Sequence, residues 1–243
     1  MRSPLPDYVL DATARILTAL VPLFERTPGP IADAGRFSAY RRIVTRLKGD
    51  TRAAARSLTL PDDLAAIAEG YRVAASDMRA VIRGLERVVV AARAQPLTEP
   101  RSGTLARQRE NERTLLLLIE AVSLAEAGNA VSALAPRSYD EALQLRQRLG
   151  RAFDLTIERA SDMGAADLVR PLRETQAALT RDLIERGRPL ARLVTYQTAV
   201  PLPSVVLAHR FYQDASRADE LRAENGATDH PAFMPTSGQA YSR

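Results

Sequence analysis

The sequence predicts a mainly α protein: a helical bundle or extended helical scaffold, followed by a small β-α-α-β domain. Three observations carry this. Apolar residues recur every three or four positions up to about residue 188. From residue 189 the texture turns β-branched and aromatic over a short stretch. Pro, Gly and Asn clusters punctuate the periodic runs. We place a helical domain at 1–188, with a sub-boundary near 95–103, and the small domain at 189–243.

Pro6–Glu25 is the first helix, with Val9, Ile16, Leu17, Leu20 and Phe24 on one side; Thr27-Pro28-Gly29-Pro30 stops it. Phe37, Tyr40, Val44 and Leu47 mark a second stripe. Leu60-Pro61-Asp62-Asp63 starts a third helix, with its acids in the first turn, where they suit the helix dipole. Its seam runs unbroken in expectation from Leu64 through Tyr71 and Met78 to Ala92. Gln95–Gly103, with Pro96 and Pro100, is a loop. A fourth helix spans Thr104–Leu134, and its segment Leu115–Ile119 is apolar all round, which implies burial on several sides. Ser138 with Glu141 three residues on has the capping-box spacing and opens a fifth helix through Ala142, Leu145, Leu149, Phe153 and Ile157. Met163-Gly164 breaks it. The sixth carries Leu168, Leu172, Leu179 and Leu183, tolerates Pro171 in its first turns, and ends at Gly187.

Leu190–Val200 then reads as a strand, Pro201–Ser204 as a turn, and Val205–Tyr212 and Ser216–Glu224 as two short helices. Asn225-Gly226 closes the second helix. His230-Pro231 and Met234-Pro235 punctuate a loop, and Gln239-Ala240-Tyr241 forms a second strand.

Composition narrows the chemistry. The 243 residues contain no Cys and two His, which excludes disulfides, thiolate metal sites and thiol nucleophiles. No uninterrupted apolar run approaches the ~20 residues of a membrane span, and Asp7 and Asp11 stand where a secretion signal needs its apolar stretch. There is no Gly-rich phosphate loop, zinc-protease helix, hydrolase nucleophile elbow or EF-hand. His209 and His230 have no second His or Cys nearby, and the pairs Asp62-Asp63 and Asp140-Glu141 serve helix starts. No metal, cofactor or catalytic residue is expected, and the chain is read as a non-enzyme.

The formal charge of +5 lies in residues 1–60, which carry ten basic and five acidic residues. Arg36, Arg41, Arg42, Arg46 and Lys48 are its densest cluster. Such a cluster serves either as a contact for nucleic acid or an acidic partner, or as a solvated helix face.

The C-terminal residues point further. Val206–Leu221, then Asn225-Gly226, then His230-Pro231-Ala232-Phe233-Met234-Pro235, resemble the end of the DNA circularisation proteins of Mu-like tailed phages, also found in prophages and tail-like particles. Ser138–Ala142 with Leu145, Arg146 and Leu149, and Thr180–Gly187 followed by Leu190–Leu193, resemble the same family, so that the likeness covers roughly 110–243. Members carry an additional N-terminal domain that we expect this chain to lack. They also continue past the His-Pro-x-Phe-x-Pro segment into an apolar strand, which here should be short or incomplete. Residues 189–243 are also similar to a LysM module, whose first helix ends in Phe-Tyr-Gly-Asp; here Phe211-Tyr212-Gln213-Asp214 puts Gln213 in place of the Gly.

The resemblance implies a structural protein of a contractile phage tail or tail-like particle (tailocin). It would sit in the baseplate, near the junction of tube, hub and wedge, in several copies around the tail axis, after assembly in the bacterial cytoplasm. No membrane partner is expected. The expected partner-binding residues are Arg36, Arg41, Arg42, Arg46, Phe211, Tyr212, Asp214 and Arg217. A DNA-associated protein acting on phage DNA is the second reading, with nucleic acid otherwise outside the expected partners. A peptidoglycan-binding LysM module is the third. The free chain is expected to be less stable than its assembled form.

Overall fold

In the computed structural model, residues 6–25, 29–226 and 233–242 are described. Helix α1 (Asp7–Leu20) runs into a 3₁₀ turn at Val21–Phe24 and buries Ile16, Leu17 and Leu20. Helix α2 (Ala34–Gly49) is capped by Asp33 and buries Tyr40, Val44 and Leu47, while Phe37 is half-buried. Asp50 then caps a six-residue helix, α3 (Thr51–Arg56), which the sequence reading did not contain.

The expected long third helix is two. Helix α4 (Leu60–Val73) stops, and α5 (Met78–Arg93) starts afresh. The break has a local cause: Asp77 accepts from Ala80 N–H at 3.0 Å as a helix cap. It also has a distant one. Residues 30–32 lie alongside the break, with Ala32 N–H donating to Ala74 O at 2.8 Å and Ser76 N–H to Pro30 O at 3.1 Å. These bonds satisfy backbone groups that a continuous helix would have used internally. Apolar spacing crosses the gap because both helices bury the same side.

Helix α6 (Gly103–Ala133) is capped by Ser102 and packs with α1, α4 and α5. Leu115, Leu116, Leu117 and Ile119 are all buried, as the all-round apolar segment predicted. By length and mean hydropathy (1.5 over its most apolar window) α6 is the one described helix apolar enough to cross a membrane, although it holds no unbroken apolar run of that length. Within the protein, 61% of that window is buried.

Helix α7 (Tyr139–Asp162) opens on Ser138, whose hydroxyl accepts from Glu141 N–H at 3.0 Å. It buries Leu145, Leu149, Phe153 and Ile157. Helix α8 (Ala166–Gly187) follows a break at Gly164, where φ is +68°, and contains Pro171. By its internal contacts the chain divides into two units, Met1–Ala135 with Arg148–Thr180, and Pro136–Gln147 with Arg181–Arg243. Helices α7 and α8 thus contribute residues to both.

Past α8 lie strand β1 (Leu193–Gln197), strand β2 (Leu202–Pro203), α9 (Ser204–Tyr212), a 3₁₀ turn at Ala215–Arg217, α10 (Ala218–Glu224), β3 (Phe233–Met234) and β4 (Ser237–Tyr241). β1 pairs antiparallel with β4 in the register Leu193↔Tyr241 to Gln197↔Ser237. The last strand is short, five residues, and pairs along the whole of β1. Two expectations are corrected. Leu202-Pro203 and Phe233-Met234 are not plain turn and loop but a two-residue strand pair, and Met234 is fully buried. A cluster of Tyr196, Leu207, Tyr212, Leu221, Met234 and Tyr241 forms the small core here. The expected stop at Thr27-Pro28 and the His230-Pro231 punctuation lie outside the described residues.

Candidate functional site

The end of α9 brings four expected partner-binding residues together. Tyr212 and Phe211 occupy the last turn of α9, and Gln213 leaves it with φ 59° and ψ 20°, in the left-handed region. It is the one non-glycine residue with positive φ among those described. A β-carbon is strained there, at a cost of about 1–2 kcal/mol. Asp214 next accepts from the Ser216 hydroxyl at 2.7 Å and from Ser216 N–H at 2.9 Å, and these two bonds hold its carboxyl below its ordinary value. The Arg217 guanidinium lies 3.9 Å from the centre of the Tyr212 ring and grips Glu220 with bonds of 2.6 and 2.9 Å. Phe211 tilts against Tyr196, ring centres 5.2 Å apart.

These contacts also close a sheet edge. The Tyr212 hydroxyl accepts from Tyr241 N–H at 3.0 Å. The Asn225 side-chain amide donates to Gln239 O at 2.7 Å and accepts from Gln239 N–H at 2.6 Å. Two side chains thus act as a third strand along β4. Burial pushes the Tyr212 and Tyr241 phenols upward, and for Tyr241 a hydrogen bond to Glu224 adds to the rise. Tyr212, Asp214 and Arg217 therefore have structural partners inside this unit. At its other end Leu193 N–H donates to Asp140 at 2.6 Å, and Arg192 stacks over Tyr139 at 4.6 Å.

The basic cluster lies on α2, and all four of its candidate arginines are exposed. Arg36 meets Asp33 at 3.5 Å, Arg46 meets Asp63 at 2.5 Å and neighbouring Lys48 meets Glu25 at 2.5 Å. Arg41 sits 5.8 Å over the Phe37 ring. Arg42 has no ion-pair partner among the described residues. The cluster is thus largely answered by the chain's own acids, which lowers the charge available to a phosphate backbone.

Sequence reasoning missed the buried carboxylates. Glu120 on α6 has no exposed surface. It accepts from Arg93 Nε at 3.0 Å, Arg159 Nη1 at 2.5 Å and the Thr156 hydroxyl at 3.1 Å. Glu112, one register of the same face away, is 2% exposed and accepts from Arg15 at 2.7 Å and from the Thr98 amide and hydroxyl at 2.7 Å each. The signal was present: Glu112, Leu116, Glu120 and Leu124 follow at intervals of four on an apolar helix. Eight residues of helix separate the two acids by roughly 12 Å; Arg15 holds Glu112, while Arg93 and Arg159 hold Glu120. They brace α6 against α1, α5 and α7. Among the described residues no three His, Asp or Glu side chains converge on a common metal position.

No protein-family model matches this chain, and no curated protein is significantly similar to it.

Proposed function

We propose that this chain is a structural, non-catalytic protein of a contractile phage tail or tail-like particle, placed in the baseplate near the junction of tube, hub and wedge. The observation that carries the reading is the C-terminal arrangement together with its sequence. Two short helices lie between the paired outer strands β1 and β4, the arrangement of a LysM-like module, with the two-residue pair β2–β3 added inside them. The residue between Tyr212 and Asp214, where that module has Gly, holds the left-handed backbone that Gly ordinarily serves. Asn225, at the end of the second helix as in the module, pins the last strand. Phage tails use such modules as connectors, and residues 206–235 resemble the DNA circularisation family of Mu-like phages.

The two alternatives find less support. Nucleic-acid binding needs free cations, and three of the five residues in the basic cluster hold acids of their own chain. Glycan binding has no specific observation in its favour.

The test is mass spectrometry of purified, DNA-free tail particles with chemical cross-linking. The expected result is this polypeptide at fixed stoichiometry, cross-linked through residues 190–243 to tube or hub proteins. Its absence from tails, together with recovery on DNA from infected cells, would overturn the proposal in favour of DNA handling.

A further inference from the structure

Two helices of the first unit leave a groove with a matched pair of faces. On α5, Glu86, Val89, Val90 and Arg93 recur at intervals of three, four and seven, one face over about two turns. On α7, Arg148, Arg151, Ala152 and Leu155 repeat that spacing. Between them lies a cavity of about 330 Å³. Val90, in the last turn of α5, and Leu155, within α7, border it and are 64% and 49% exposed.

The groove is held at both ends. Arg148 bonds Glu86 at 2.6 Å across it. Arg93 donates to Ala152 O and to the Thr156 hydroxyl, each at 2.8 Å. Its width and register are therefore set before anything binds, which lowers the ordering cost of binding.

Charge says what would fill it. Three arginines, Arg93, Arg148 and Arg151, line the groove with one acid, Glu86; Arg148 pairs with Glu86, and Arg93 pairs with the buried Glu120 beneath it. Arg151 is exposed and has no ion-pair partner among the described residues. The surplus is positive and sits beside exposed aliphatic side chains. A nucleic-acid backbone would use the charge but leave Val90 and Leu155 in water, whereas a neutral apolar helix would leave Arg151 unanswered. We infer that the α5–α7 groove is a docking site for an amphipathic helix of another protein. Its apolar stripe would cover Val90 and Leu155, and its flanking Glu or Asp would pair with Arg151. This inference does not rest on the tail reading.

The test is selection on the full chain from a displayed library of amphipathic helices about four turns long. Each has a fixed aliphatic stripe, and its flanking positions carry either Glu or Lys. The expected result is enrichment of Glu over Lys by about tenfold, the ratio that 1.4 kcal/mol supplies. Arg151→Glu should abolish or reverse that preference. Val90→Asp should remove binding of both kinds, with circular dichroism unchanged in each variant. Equal recovery of Glu and Lys helices, or no recovery at all, overturns the proposal. So does binding that both substitutions leave intact. Sedimentation supplies a further arm: self-association lost in Val90→Asp assigns the groove to a second copy of this chain instead. Displacement of the selected helices by duplex DNA would assign it to phosphate.

Discussion

The helical unit and the C-terminal unit solve the same problem by different means. Both bury polar groups, but the first buries charge and the second buries backbone. In the helical unit Glu120 and Glu112 are sealed beneath arginines that bridge separate helices. In the C-terminal unit the groups at risk are the N–H and C=O of β4, and Asn225 and Tyr212 satisfy them with neutral side chains. Size explains the difference. Many aliphatic neighbours can carry the desolvation cost of an ion pair. A core built around Leu207, Leu221 and Met234 has less to offset it, so neutral hydrogen bonds suit it better.

The largest expected effect breaks the first half of that contrast. Glu120→Ala leaves Arg93 and Arg159 facing each other without their acid, and should destabilise the helical unit by about 3–5 kcal/mol. Urea unfolding measures it, and a change within experimental error would show that the network contributes nothing net. Next is Gly84→Ala. A β-carbon there would lie 2.8 Å from Cε1 of the fully buried Tyr71, so a loss of about 1–3 kcal/mol is expected by the same method.

Asn225→Ala tests the second half. It removes both bonds to Gln239, at about 1–2 kcal/mol. Hydrogen exchange should speed at the Gln239 amide while α5 and α6 keep their protection; equal loosening of both units would make the contrast meaningless. Gln213→Gly should act in the opposite direction, stabilising the C-terminal unit by up to about 1 kcal/mol through relief of the left-handed strain. Loss of stability would mean that the Gln213 side chain contributes something beyond its backbone.

The smallest effect sharpens the rule about neutral groups. The Tyr40 hydroxyl is buried without a hydrogen-bond partner, so Tyr40→Phe should leave stability unchanged or raise it by up to about 1 kcal/mol at pH 7. Burial raises the Tyr40 phenol above its ordinary 10.0, so the folded state holds its proton longer than the unfolded chain does. The stabilisation is complete below pH 10.0 and is lost as pH rises through the folded value. Tyr40→Phe should therefore flatten the alkaline fall in melting temperature, and an unchanged fall would point to Tyr241, which is raised by burial and by Glu224.

Periodicity by itself placed most of the helices, though it missed α3 and ran α4 and α5 together. Leu145, Leu149, Phe153 and Ile157 face inward because their spacing leaves no other arrangement of an apolar stripe. Composition and turn chemistry likewise placed the break at Gly164, the cap at Ser138 and two short helices between an outer pair of strands, because these depend on neighbours in the chain; the inner pair β2–β3 was not expected. Phe211, Tyr212, Asp214 and Arg217 could be singled out from the C-terminal sequence; their bonds to Tyr241, Ser216 and Glu220 could not. The tertiary structure alone decided what depended on distant residues. Pro30–Ala32 split a continuous apolar seam at Ala74–Asp77. Arg93 and Arg159, far from Glu120 in sequence, allowed a carboxylate in the core. Asn225 closed the edge of β4. In each case a polar group was satisfied by a partner many residues away, and local spacing carries no record of such pairings.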